Sequence, residues 1–130
     1  MGMICKDIEI DGKKFWTLFD TGSRNNYILK KAASGKLQIG LIKKQSVLLG
    51  GKVHSVEKLC ILQGFIRGYP IQMHARVLDE IGIDERGKEI EILFGALSMQ
   101  EWGIVLVPEK EALDMSHYPK EFIEFYVREG

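Results

Sequence analysis

The run Phe15-Trp16-Thr17-Leu18-Phe19-Asp20-Thr21-Gly22-Ser23 decides how the rest of the chain is read. Its first five residues are apolar or β-branched, the composition of a strand covered on both faces and not of one alternating between core and solvent. Asp20 ends that strand, so a carboxylate emerges where the chain leaves the core. Asp and Gly also serve ordinary turns, through side-chain bonds to the backbone and freedom in φ. A turn role alone, however, gives no reason for a buried strand to lead straight into the carboxylate.

Upstream, Ile4, Ile8 and Ile10 are interleaved with polar residues, and Asp11-Gly12 suits a type I′ connection, so residues 5–19 are expected to form a hairpin. Downstream, after a Gly22 to Asn26 loop, residues 27–33 lack Gly, Pro and alternation; a short helix is expected there, with Asn25 or Asn26 as N-cap and Gly35 as its stop. Residues 46–49 and 53–62 flank Gly50-Gly51, and a third hairpin turns at Arg67-Gly68 with 69–78 as its second arm. Residues 79–91 mix charges with Gly82 and Gly87 and read as an exposed loop or small mobile hairpin. A strand over 90–94 ends at Gly95, a helix is compatible with 96–102, and Gly103 precedes a strand over 104–107. Ser116 or His117 caps an expected helical extension over about 117–129, with Pro119 in its first turn and Phe122, Phe125 and Tyr126 on one face.

At 130 residues and 45% apolar content the chain builds one core, and a single domain over 1–130 is expected. Eighteen basic residues balance eighteen acidic ones, which leaves no excess positive charge to neutralise phosphates or hold an anionic membrane. Neither nucleic acid nor membrane is an expected partner. No apolar run reaches the length of a membrane span and the start lacks the basic-then-apolar pattern of a secretory signal, so a soluble cytoplasmic protein is expected. Cys5 and Cys60 sit in apolar, strand-like stretches without Cys-x-x-Cys spacing and read as buried thiols. His54, His74 and His117 make no ligand pair, and no Gly-x-Ser-x-Gly elbow surrounds Ser23, Ser98 or Ser116. Neither a metal nor a cofactor is expected.

An Asp-Thr-Gly-Ser at the end of a buried strand resembles the signature of the aspartic peptidases, and a short chain with a single copy resembles their retropepsin-like branch. The order of features agrees: the Asp11-Gly12 hairpin before Asp20, the Gly50-Gly51 hairpin after it, then Ile92-Leu93-Phe94-Gly95 leading into Ala96-Leu97-Ser98-Met99. The resemblance covers about residues 3–115. It implies a mainly β, closed-barrel acid-protease fold with a few short helices, and a flap hairpin over about 45–60. Gly50-Gly51 serves equally well as an ordinary tight turn.

The resemblance further implies an aspartic endopeptidase with Asp20 as catalytic carboxylate. Hydrolysis without metal or covalent nucleophile needs one group to take a proton from water and another to protonate the departing amide; paired carboxylates sharing a proton do both. Only one Asp-Thr-Gly is present, so the second carboxylate would be Asp20 of an identical chain across a two-fold axis. In this scheme Thr21 bonds across the axis, Gly22 permits close backbone approach, and Ser23 donates to the outer oxygen of Asp20. Arg24 and Asn25 line the outer substrate pockets, and Leu49, Gly50 and Gly51 form the flap tip over an extended peptide or protein substrate. The chain departs from the family in two places. Arg24 stands where acidic or small polar residues are usual, and Ala96 and Leu97 where a polar residue ties the helix to the active-site loop, so that anchoring must come from elsewhere. The competing reading is a non-catalytic dimeric module that grips a peptide with the same fold.

Overall fold

Residues 3–120 are described by the computed structural model. Along the chain run β1 (Ile4–Ile10), β2 (Lys13–Asp20), β3 (Tyr27–Leu29), α1 (Lys30–Ala33), β4 (Gln38–Leu49), β5 (Lys52–Ile66), β6 (Tyr69–Leu78), β7 (Ile92–Gly95), α2 (Ala96–Glu101), β8 (Val105–Val107) and β9 (Ala112–Asp114). Three two-residue turns set the hairpin registers: Asp11-Gly12 with φ of 53° and 74°, Gly50-Gly51 with 59° and 78°, and Arg67-Gly68 with 49° and 82°. Two successive positive φ angles are what a type I′ turn demands, and its twist matches that of the flanking strands.

Seven strands form one sheet in the order β1-β2-β7-β3-β6-β5-β4, and β1 pairs again with β5 through Glu9 and Phe65. That last pairing closes the circuit and leaves β4 attached outside it, the mainly β fold with short helices expected from the sequence. Gly64 makes the closure possible, since a Cβ there would collide with the Glu9 carbonyl and sit 2.8 Å from Ile10. Inside the circuit lie Ile8, Ile28, Leu62, Ile66, Ile92 and Phe94, all buried, each contributing about 1.5–3 kcal/mol. A second apolar cluster of Tyr27, Val56, Leu78 and Leu93 also receives Leu18 from β2 and Val47 and Leu49 from the β4–β5 hairpin. Against the expectation of a strand covered on both faces, Leu18 and Trp16 are only half-buried, so β2 is deeply covered on the face of Phe15, Thr17 and Phe19 and less so on the other.

A second expectation changes. The helix expected over residues 27–33 is confined to Lys30–Ala33, because Tyr27–Leu29 is a strand held between β6, parallel, and β7, antiparallel. Nonlocal partners on both sides override the weak local preference. Of the expected extension over 117–129, residues 121–129 lie outside the described residues, and 117–120 pass through a turn and irregular chain. Residues 79–91 do form a loop with one isolated bridge between Ile83 and Glu89, yet it is strapped to the body. Trp16 Nε1 donates to Asp84 at 2.9 Å, Asp84 also accepts from the amides of Arg86 and Lys88, and the Lys88 ammonium lies 4.2 Å from the Trp16 ring centroid. Cys60 is buried, Cys5 half-buried, and both are free thiols.

Candidate active site

Asp20 is the last residue of β2 and pairs in parallel register with Gly95, the last residue of β7. Two core strands thus run side by side and end together, each releasing its chain into a loop or helix at the same edge. The Asp20 carboxylate is half-buried, and its Oδ1 accepts from the Gly22 amide at 2.8 Å, which fixes its rotation. A side chain at residue 22 would bring its Cβ to 3.1 Å from the same oxygen, so glycine leaves the carboxylate uncrowded. Thr21 and Gly22 are exposed at the apex of the loop.

Ser23 is arranged differently from the expectation. Its hydroxyl donates to the Asn25 carbonyl at 3.0 Å instead of to Asp20, and its amide donates to the Asp20 carbonyl at 3.2 Å. Ser23 therefore tightens the loop, and the Gly22 amide is what meets the carboxylate. Closing that turn locally is the cheaper use of a short hydroxyl side chain.

The loop is clamped to β7 and α2. Ala96 N donates to the Ser23 carbonyl at 2.6 Å and Leu97 N to the Arg24 carbonyl at 3.2 Å. At Gly95 a Cβ would lie 2.8 Å from both the Asn25 carbonyl carbon and the Ser23 carbonyl oxygen, so this residue must be glycine for the backbones to approach. The anchoring that Ala96 and Leu97 cannot supply through side chains comes from Asn26, which is buried at 6% exposure. Asn26 Oδ1 accepts from Gly95 N at 2.8 Å, and its Nδ2 donates to Ser98 Oγ at 2.6 Å and to the His74 carbonyl at 3.1 Å. One amide thus joins the loop to β7, α2 and β6. The sequence offers Asn26 as a helix cap; the signal that points elsewhere is its place between the Asp20 loop and three consecutive apolar residues.

The remaining candidates fall in two places. Arg24 and Asn25 lie beside α2 and β6, where they help line a cavity of about 170 Å³ with Leu97, Ser98 and Glu101. Leu49, Gly50 and Gly51 stand at the end of the β4–β5 hairpin; Leu49 is half-buried against the second cluster and both glycines are exposed. Leu48 and Val53, paired across the hairpin, are 73% and 74% exposed, so its tip offers apolar side chains to solvent. Leu18, two residues before Asp20, packs on the same cluster as Leu49, which ties the end of the hairpin to the strand bearing the carboxylate.

No protein-family model and no curated protein matches the chain. Solved structures do. The retroviral protease-like domain of Ddi1 from Leishmania major superposes with a TM-score of 0.66 at 12% identity, over 92% of this chain and 94% of that one. The EIAV protease in complex with an inhibitor gives 0.59 at 14% identity, over 79% and 90%. The foamy viral protease-reverse transcriptase bound to an RNA/DNA hybrid gives 0.54 at 10% identity, covering 77% of this chain but 12% of that larger one. The fold is retropepsin-like. No helix among the described residues is long and apolar enough to cross a membrane.

Proposed function

We propose that this chain is an aspartic endopeptidase whose working form is a homodimer, hydrolysing peptide bonds with a water activated by two Asp20 carboxylates, one from each subunit. The observation that carries this reading is the seat of Asp20: a carboxylate at the end of a core strand, clasped by the Gly22 amide on a loop bonded to β7 and α2. The retropepsin-like fold supports it. One chain supplies one such carboxylate, so a two-fold copy supplies the other.

In that pair, the ionised Asp20 takes a proton from water as the water oxygen adds to the scissile carbonyl carbon. The protonated Asp20 gives its proton to the carbonyl oxygen. The resulting diol collapses when the carbon–nitrogen bond breaks: the departing nitrogen takes a proton from one carboxyl group, and a diol hydroxyl returns one to its partner, restoring the shared proton. The scheme needs neither metal nor cofactor. Thr21, exposed at the loop apex, is assigned to bonds across the two-fold axis, and Gly22 to the close approach of the two loops. The hairpin tip at Leu49, Gly50 and Gly51 closes over an extended substrate that Arg24 and Asn25 help to hold. Two free thiols suit a reducing compartment, and we place the protein in the cytoplasm.

The test is incubation of the purified protein with a diverse peptide mixture from acid to neutral pH, beside Asp20→Asn and Asp20→Ala, with light scattering on the same samples. Cleavage by wild type alone, from a dimer, is expected. A dimer that binds peptides yet cleaves none at any pH would make this a peptide-gripping module, and a strict monomer would remove the mechanism.

A further inference from the structure

We propose that the groove running from the Asp20 loop to the root of the β4–β5 hairpin takes an acidic side chain of the bound peptide, with Arg24, Lys43 and Arg76 setting that preference. The inference rests on the reading of the chain as a binder of extended peptides. Two cavities make up the groove, about 170 Å³ beside α2 and about 600 Å³ beside β4, and they share Asn25 and Arg76. Their linings hold four cationic side chains, Arg24, Arg76, Lys43 and Lys44, against a single carboxylate, Glu101. On a chain whose net charge is zero, that is a local concentration of positive charge.

The cations differ in how far they are already satisfied. Lys44 is paired with Glu57 at 2.8 Å, so its charge is partly committed. Among the described residues Arg24, Lys43 and Arg76 have no ion-pair partner. Arg76 is half-buried, sits opposite Tyr27 in the β3–β6 register, and donates from Nε to the neutral Gln45 side chain at 2.8 Å. That bond fixes the plane of the guanidinium while leaving its terminal nitrogens for a carboxylate, the planar fork such a group binds best. Tyr27 and Val47 supply the apolar lining against which the methylenes of a Glu side chain rest. Arg24, unusual at its position for this fold, thereby acquires a role: it extends the positive rim to the loop that carries Asp20.

The experiment uses the full chain and extended nonapeptides in which Glu is stepped against Gln through each position. Cleavage is measured with wild type, and binding by fluorescence anisotropy with Asp20→Asn, at low and high salt. At one or two positions Glu is expected to improve both readouts by about tenfold at low salt, with the gain shrinking at high salt. Arg24→Glu and Lys43→Glu, both at exposed positions, should each reduce that preference several-fold, and together reverse it towards Lys. Circular dichroism confirms that the variants are folded. If Glu and Gln peptides are cut and bound alike while cleavage proceeds, this inference fails and the peptidase reading stands. If nothing is cut but Asp20→Asn binds Glu peptides selectively, the peptidase reading fails and the groove assignment stands.

Discussion

Gly95→Ala puts the positioning of Asp20 to a direct test. The added Cβ falls 2.8 Å from the Asn25 carbonyl carbon and 2.8 Å from the Ser23 carbonyl oxygen, and both are backbone atoms that no rotamer change can move. Restoring an ordinary contact of about 3.5 Å requires the loop and β7 to separate by at least roughly 0.7 Å, and by more at the Asn25 carbonyl oxygen, which lies closer still. The same displacement strains the bonds that hold the loop, Ala96 N to Ser23 O at 2.6 Å and Leu97 N to Arg24 O at 3.2 Å; the second passes out of hydrogen-bonding range. Overpacking of this kind costs about 1–3 kcal/mol, and two weakened bonds add roughly 1 kcal/mol each. The sum, about 3–5 kcal/mol, corresponds for a domain of this size to a fall in melting temperature of roughly 10–20 °C. Thermal unfolding followed by circular dichroism measures it, with Gly40→Ala as control, since a Cβ at Gly40 meets nothing within 4 Å. At a temperature where the variant is still folded, cleavage should fall at least about tenfold, because the carboxylate moves with its loop. A Gly95→Ala protein that melts within about 2 °C of wild type and cleaves at the same rate would refute the claim that this contact positions Asp20.

Asn26→Ala removes three hydrogen bonds from a buried site and should cost about 2–4 kcal/mol in denaturant unfolding, Ser98→Ala about 1 kcal/mol, and the double variant less than their sum. Strict additivity would show that the two side chains do not act together. For Asp84, desolvation works to raise the carboxyl pKa, but the amides of Lys88 and Arg86 and the Trp16 indole outweigh it and hold the group below the usual carboxylate range. A lowered folded pKa gives stability that is present above the unfolded value near pH 3.9 and lost as pH falls through the folded one. Tryptophan fluorescence should therefore show an acid transition below about pH 4 that Asp84→Asn lacks; an identical transition in both would assign it elsewhere. Burial, with Asp84 and Glu85 adding to it, pushes the Cys5 thiol up to about 11, so at pH 8 only about one molecule in a thousand carries the thiolate. Alkylation of Cys5 in the native protein should be far slower than that of a free thiol, and comparable rates would contradict this placement.

Features encoded within a few residues were legible before any coordinates. Asp11-Gly12, Gly50-Gly51 and Arg67-Gly68 each specify a turn by backbone freedom alone, and the strands on either side follow. Asp20 and Gly95 stood out because a polar or side-chain-free residue ends a run of apolar ones. What escaped was nonlocal. Tyr27-Ile28-Leu29 has no alternation of its own and becomes a strand only because β6 and β7 reach it from 49 or more residues away, as in the Tyr27–Arg76 pair. Nothing in the sequence distinguishes Ser98 from any helical serine until Asn26 is brought against it. The peptidase scheme has Ser23 donate to Asp20, yet a hydroxyl beside a tight loop closes the loop first. The basic groove likewise gathers Arg24, Lys43 and Arg76 from three separate stretches.

The pairing of Glu9 with Phe65, admitted by the bare backbone at Gly64, joins the sheet into a ring within a single chain. A single chain therefore closes that ring without borrowing a strand. In the proposed dimer, folding and assembly become separate equilibria, and the second alone decides how many dyads exist. Well below the self-association constant, turnover should rise with the square of protein concentration, and well above it in direct proportion. Proteolysis would then be governed by how much of the protein is present in one place, a control that leaves the chemistry at Asp20 untouched.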